Sequence, residues 1–282
     1  MAATKLNPRA VAKPWGRRDL SPWCASQGPA IGEMVYDGGS EAPLLLKALF
    51  TAERLSVQVH PDDAAARAQG LPRGKDEAWI ILAAEPGATI GLGLRHAVSA
   101  DELAAAAHDG SIEALVDWLP VRAGDVYFAP AGTIHAIGAG LTLIEVQQNL
   151  DLTYRLFDYG RPRNLHLSDG IAVAERGPWQ PQNPPRALGD GRSSLIEGPS
   201  FIVERVVANG RAWLDPPPGR ATWLVIVAGR GRIDGVPCGA GEVWLTEAHA
   251  EVEFDGDGEV LLAYSGAGVA PGVWATARRH AA

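Results

Sequence analysis

Apolar and polar positions alternate along residues 55–60. Side chains on a strand alternate with period two, so Leu55, Val57 and Val59 share one face and Ser56, Gln58 and His60 the other. Pro61 and two aspartates then end the run. The apolar face packs on a core. The polar face is either solvated, as on many antiparallel sheets, or turned toward a site. Similar short runs between Gly/Pro turns predict strands over 44–50, 76–83, 125–129, 133–137, 141–148, 201–207, 222–228, 242–246 and 259–264.

Helical spacing is sparse. Residues 99–119 open with Ser99 and Glu102 at capping-box spacing and continue rich in Ala and Leu. Gly110 and Ser111 predict a break between two short helices there. Residues 62–70 predict another short helix, closed by Gly70. Many short strands with regular turns predict a mainly β chain of sandwich or jelly-roll type. Residues 176–195 are rich in Pro and Gly, lack periodicity and read as a linker. The expected organisation is a first domain over 1–175, with its helical segment near 99–119, and a second β domain over 196–282.

Length and composition refine this picture. A chain of 282 residues suits one large β domain or two smaller ones. No apolar run approaches the ~20 residues of a membrane span, and the N-terminal residues lack the apolar core of a signal peptide. Cys24 and Cys238 lie far apart, which fits free thiols in a reducing compartment better than a disulfide framework. A cytoplasmic protein with no membrane partner is expected, as a monomer or homodimer. The formal net charge of -8 argues against nucleic-acid binding. It leaves room for a small anionic ligand, which needs only a few local cations.

Three segments carry candidate chemistry. The first is the polar face with His60. In the second, Glu77, Trp79 and Ile81 share a face, and a carboxylate beside Trp on an inward face needs a partner or a metal. A solvated Glu at a strand start, beside Lys75 and Asp76, is the alternative. In the third, Gly124, Pro130, Gly132 and His135 form a G-x5-P-x-G-x2-H pattern. It resembles the second motif of the cupin superfamily, with Ala139 where that pattern usually carries Asn. His60, Glu77 and His135 together supply two imidazoles and a carboxylate, a set that suits Zn²⁺ with an open position, to which Gln58 can add an oxygen. The histidines are distant in sequence, so only the tertiary fold can unite them.

The segments LLLKALFTAERLSVQVHPDD, GKDEAWIIL, AGTIHAIGAG and IEVQQNLDLTYRLFDYGR, in that order, resemble the signature segments of the type I mannose-6-phosphate isomerases. KPWG at 13–16 and IGE at 31–33 are similar to that family's opening. The resemblance implies two cupin-like jelly-roll barrels with a few short helices, the first catalytic. It implies one Zn²⁺ per chain, held by Gln58, His60, Glu77 and His135, and a sugar phosphate as the substrate. It implies an essential Arg155, substrate contacts from Lys47, Ser56 and Lys75, and a role in proton transfer for Glu145. The reaction expected is interconversion of mannose 6-phosphate and fructose 6-phosphate through an enediol. Asp76 departs from the Thr usual in the family between the Lys and Glu of that segment.

Bland readings stand beside these. Glu145 also suits a structural carboxylate paired with Arg155 or Arg161, and Lys47 a snorkelling lysine. His96, His108, His166, His249 and His280 lack ligand-like neighbours and read as surface or structural. Two rival functions share the ligand set: an Fe²⁺-dependent cupin oxygenase, and a non-catalytic sugar-binding cupin. The second domain is expected to bind no metal, because aligning Gly241 with the start of the cupin pattern puts Glu247 at the Pro position and Val252 at the His position.

Overall fold

The structure, a computed structural model, describes residues 2–20, 23–25 and 28–276; His280 and the Cys24 side chain lie outside the described residues. Strands dominate, and alternating burial along them divides the chain into stacked sheets. A six-stranded antiparallel sheet runs in the order Val126–Ala129, Glu77–Ala84, Leu141–Gln148, Leu44–Thr51, Ile31–Tyr36, Arg9–Arg17. Facing it is a five-stranded sheet in the order Val116–Pro120, Thr89–Leu94, His135–Ile137, Val57–Val59, Tyr154–Phe157. Trp15, Leu49, Trp79, Ile81, Ile90 and Leu143 fill the space between the two.

The five-stranded sheet has helices on its far side. Val57, Val59, Ala136 and Leu156 pack there against Leu103, Ala106 and Ile112. The helix Ala100–Asp109 begins in a full capping box of Ser99 and Glu102 and stops at Gly110, whose φ of 87° suits glycine. The helix Asp63–Ala68 is capped by the Asp62 carboxylate. The helical segment expected to reach residue 119 instead ends with Ile112–Leu115, and Val116–Pro120 is a strand. Its backbone pairs with Thr89–Leu94, which would otherwise expose a row of unpaired amide groups at the sheet edge.

The second half is built on two long strands, Phe201–Leu214 and Ala250–Ser265, paired from Phe201↔Ser265 to Leu214↔Ala250. Both run well beyond the lengths expected from the sequence. Asn209-Gly210 looks like a turn, but here the register slips between these residues and the strand continues past a bulge, with Gly210 at φ 69°. The strands join a ten-stranded sheet whose apolar core includes Ile202, Leu224, Trp244, Val252 and Trp274. Val252, at the aligned ligand position, is therefore a core residue. The jelly-roll expectation holds as layered sheets, and the sheets are not closed into barrels.

Two boundaries differ from expectation. Thr4–Leu6 pairs with Val243–Thr246, so the start of the chain adds a strand to the second half's sheet. The expected linker over 176–195 carries the strand Arg186–Gly189 and straps the edge of the six-stranded sheet. Phe128 N–H donates to Gln182 Oε1 at 2.7 Å, and Trp179 Nε1 donates to the Phe128 carbonyl at 2.9 Å. Side chains of a segment without periodicity thus replace a missing strand partner. No helix among the described residues is long and apolar enough to cross a membrane.

The six-stranded sheet is buried on both faces. Leu44, Leu46, Ala48, Phe50, Ile144 and Val146 point away from the first half's interior and pack against Phe201, Val203, Trp223, Val225 and Leu261 of the second half. Leu46→Ala removes a side chain with no exposure from the middle of this joint. It is expected to cost about 2–5 kcal/mol, read as a lower urea midpoint with unchanged slope.

Candidate active site

The facing sheets bring polar rows together. On the five-stranded sheet, His135 stands opposite Gln58, and Gln58 opposite Arg155. On the six-stranded sheet, Trp79, Glu145 and Lys47 form one cross-strand row, and Glu77 and Gln147 are partners in the next. The register that puts Val57 and Val59 under the helices turns Gln58 inward, with Ser56 and His60 beside it at the strand's ends. A cavity lies between the rows, lined by Lys47, Ser56, Gln58, Lys75, Glu77, Glu145 and Arg155. His60 and His135 meet it through Glu77, so all nine residues singled out from the sequence converge.

His60, Glu77 and His135 are buried, with one potential ligand atom from each within 4.8 Å of the others. His60 Nε2 is 3.3 Å from Glu77 Oε1, and His135 Nε2 is 3.5 Å from Glu77 Oε2. Each ring proton is spent elsewhere. His60 Nδ1 donates to the Leu152 carbonyl at 3.0 Å, and His135 Nδ1 to the Thr133 carbonyl at 2.8 Å. This leaves the Nε2 lone pairs facing the carboxylate. Burial, with Lys75 nearby, pushes His60 down to about 3, and burial lowers His135 as well. Burial opposes ionisation of Glu77, but its carboxyl is held well below its usual range, chiefly by the Lys75 ammonium beside it.

Two neutral imidazoles and a carboxylate therefore turn electron pairs toward one point. Glu77 Oε2 is buried with no hydrogen-bond partner, a cost that a cation relieves. The donor set fits a divalent metal. Gln58 Nε2 lies 3.2 Å from His135 Nε2 and 3.5 Å from His60 Nε2, while Gln58 Oε1 accepts from Ser56 Oγ at 3.1 Å. A half-turn of this amide presents its oxygen to the same point.

The cations of the cavity are not equivalent. Lys75 Nζ is 3.2 Å from Glu77 Oε1. Lys47 Nζ donates to Glu145 Oε2 at 2.9 Å and to Gln147 Oε1 at 2.7 Å. Burial works against charge on Lys47, but Glu145, with Glu33 and Glu77 beyond it, keeps the ammonium protonated above its ordinary range. Burial and then Glu77 raise Glu145, against the opposing pull of Lys47 and Lys75. The structural partner of Glu145 is thus Lys47, not Arg155 or Arg161; Arg161 pairs with Asp158 and Glu53. Lys47 is a partly buried member of the site, with its ammonium turned inward to Glu145.

Sequence reasoning passed over other groups in the cavity lining. Lys13 and Glu33 form a 3.0 Å ion pair there. KPWG and IGE had marked both segments, without suggesting a role. Arg163 also lines the cavity, its fork fixed by buried Asp158 at 2.5 and 2.6 Å. Five cations and three carboxylates line the space, an excess that favours an anionic guest in an acidic protein. Among the described residues lining it, Arg155 is the cation with no carboxylate partner.

No family model matches the chain. It is 35% identical over 240 residues to the mannose-6-phosphate isomerase of Streptococcus mutans, covering 79% of this chain and 74% of that one. It is 31% identical over 246 residues to a probable mannose-6-phosphate isomerase of Bacillus subtilis, covering 81% and 77%. Among solved structures, the mannose 6-phosphate isomerase from Bacillus subtilis superposes with a TM-score of 0.82 at 24% identity, covering 93% of this chain and 99% of that one. A putative mannosephosphate isomerase from Archaeoglobus fulgidus gives 0.74 at 18%, covering 94% and 97%. These two share the fold.

His135→Ala removes one imidazole from the cluster. It is expected to lower metal content per chain by more than the ~10–100-fold effect of an outer-sphere change, measured by elemental analysis after dialysis, with the far-UV spectrum unchanged. Equal metal content in variant and wild type would exclude this cluster as the ligand set.

Proposed function

The chain belongs to the mannose-6-phosphate isomerase family, and on that premise we propose that it interconverts mannose 6-phosphate and fructose 6-phosphate as a metal-dependent aldose–ketose isomerase. The observation that carries this reading is one cavity holding the His60–Glu77–His135 cluster, a Glu145 shifted toward protonation, and an Arg155 with no carboxylate partner. We take the metal to be zinc, one per chain, held by His60, Glu77 and His135 with Gln58 as a further donor. When bound it supplies a Lewis acid that favours charge developing on sugar oxygens.

The reaction moves a proton between C2 and C1 of the open-chain sugar through an enediol. Glu145 is the candidate acid/base. Its carboxyl is raised above the ordinary range by burial and the Glu77 charge, the direction that suits a group that must take up and return a proton. Lys47 at 2.9 Å and Trp79 Nε1 at 3.3 Å orient it from either side. Arg155 keeps its planar fork for an anion, either the phosphate or the enediolate. With their ammonium groups already tied to Glu145 and Glu77, Lys47 and Lys75 serve the sugar phosphate as fixed positive charges, and Ser56 as a hydroxyl partner. Phosphate binding far from the reacting carbons orients C1 and C2. The second half carries no metal in this reading and backs the catalytic half. A cytoplasmic setting and a monomeric or homodimeric state complete it.

The decisive assay couples fructose 6-phosphate formation from mannose 6-phosphate to a reporter, with and without chelator and with zinc or iron restored. Arg155→Lys keeps the charge but loses the fork. It is expected to reduce turnover by at least ~10²-fold while zinc content stays constant, and free mannose should be a much poorer substrate than its 6-phosphate. Normal turnover in this variant, or equal use of free mannose, would move the assignment to another cupin activity.

The acid/base assignment has a pH signature. A base works deprotonated, so activity should fall as pH drops through the raised Glu145 value, which lies above the ~4.3 of an ordinary Glu. Glu145→Gln should lower turnover by ~10²–10⁴-fold and remove that acid limb. A limb that survives the substitution assigns it to another group.

A further inference from the structure

Between the two cavity residues Lys75 and Glu77, just before the strand Glu77–Ala84, Asp76 turns its carboxylate away from the cavity. Its carboxylate is buried, at 7% exposure, and lines no part of the cavity. Two donors from distant parts of the chain hold it. Ala131 N–H donates to Oδ1 at 2.8 Å, and Ser200 Oγ donates to Oδ2 at 2.6 Å. Its backbone is pinned as well, because Asp76 N–H donates to Gln148 Oε1 at 2.9 Å and its carbonyl accepts from Gln148 N–H at 3.0 Å.

Each donor leads somewhere informative. Ala131 lies in the turn that feeds His135. In that turn Gly132 N–H donates to the His60 carbonyl at 2.8 Å, and the Thr133 carbonyl receives the His135 Nδ1 proton. Oδ1 of Asp76 therefore ties the strand that starts at Glu77 to the turn that orients the His135 imidazole and holds the His60 backbone. Ser200 immediately precedes the long strand Phe201–Leu214 of the second half, and its carbonyl accepts from Gly266 N–H at 2.8 Å. The same joint is closed by Phe128 against Phe201, ring centroids 6.0 Å apart.

We propose that Asp76 is a positioning residue for the metal cluster, and that through Ser200 the second half of the chain sets the spacing of Glu77 from His60 and His135. The second half reaches the site without contributing a residue to the cavity lining. The proposal rests on the reading of His60, Glu77 and His135 as a metal site. It assigns a function to the position where this chain departs from the family's usual Thr. A Thr side chain is shorter and has a single oxygen, so it cannot span both donors in this way.

The test measures zinc affinity by competition with a chromophoric chelator, alongside thermal unfolding, for wild type, Asp76→Ala, Asp76→Asn, Ser200→Ala, His135→Ala and Leu214→Ala. Asp76→Ala and Ser200→Ala should weaken zinc binding by ~10–100-fold, the scale of losing an outer-sphere partner. Asp76→Asn should return affinity toward wild type, because its oxygen still accepts from Ala131 and its amide N–H donates to Ser200 Oγ. Leu214→Ala, in the second half's own core and at the far end of its strand from Ser200, should lower the melting temperature and leave zinc affinity in place, which separates positioning from general stability. Should Asp76→Ala fail to fold, Ser200→Ala carries the same prediction. Wild-type affinity in Ser200→Ala or in a folded Asp76→Ala overturns the proposal. Zinc affinity that is unaffected by His135→Ala overturns instead the metal reading beneath it.

Discussion

A carboxylate at 1% exposure, as Glu77 is, costs several kcal/mol unless its charge is met. Much of the first half can be understood as meeting it. Lys75, two residues earlier on the same face, brings an ammonium to 3.2 Å. His60 and His135 come from the opposite sheet with their lone pairs inward, each ring held by a backbone carbonyl. Lys75 answers one oxygen, and the other is left for a cation. Without a partner there, the centre would be among the most costly points in the core. The carboxylate therefore makes chemistry and stability hard to separate in this part of the fold.

The six-stranded sheet serves two interiors. Along Leu44–Thr51, alternate residues face the second half and the cavity, so Lys47 emerges beside Glu145 while Leu46 and Ala48 pack outward. Any shift of this sheet against the second half moves one face of the site. That face carries Glu77 and Glu145, the other carries Gln58, His135 and Arg155, and the distances between them depend on how well both interfaces pack. The second half thereby matters to a cavity it does not line.

Charge is arranged against the average. The protein carries a net -8, yet the cavity lining holds more cations than carboxylates. Four of those cations are tied to an acidic partner, Lys13 to Glu33, Lys47 to Glu145, Lys75 to Glu77 and Arg163 to Asp158. Among the described lining residues the pairings leave the Arg155 fork without a carboxylate partner. Burial, the Glu77 charge and the Lys47 ammonium together decide how acidic Glu145 is, so its protonation reports on the whole row.

Alternation in residues 55–60 by itself determined which side chains share a face with His60, and ordered motifs determined which distant residues belong with them. Strand and motif are local, so they survive as sequence. What met Glu145 was decided in three dimensions: Lys47 is its neighbour only because two strands ninety-odd residues apart align in register, a pairing that no local pattern encodes. The same holds for the strap over 176–195, whose Trp179 and Gln182 complete a sheet edge without any periodicity, and for Val116–Pro120, which became a strand because an edge needed a partner. Asn209-Gly210 reads as a turn from its residues and is a bulge because two long strands hold it in line. Local residue preferences are worth fractions of a kcal/mol to about one, whereas burial and backbone pairing across a sheet are worth several, and where the two disagreed the tertiary terms prevailed.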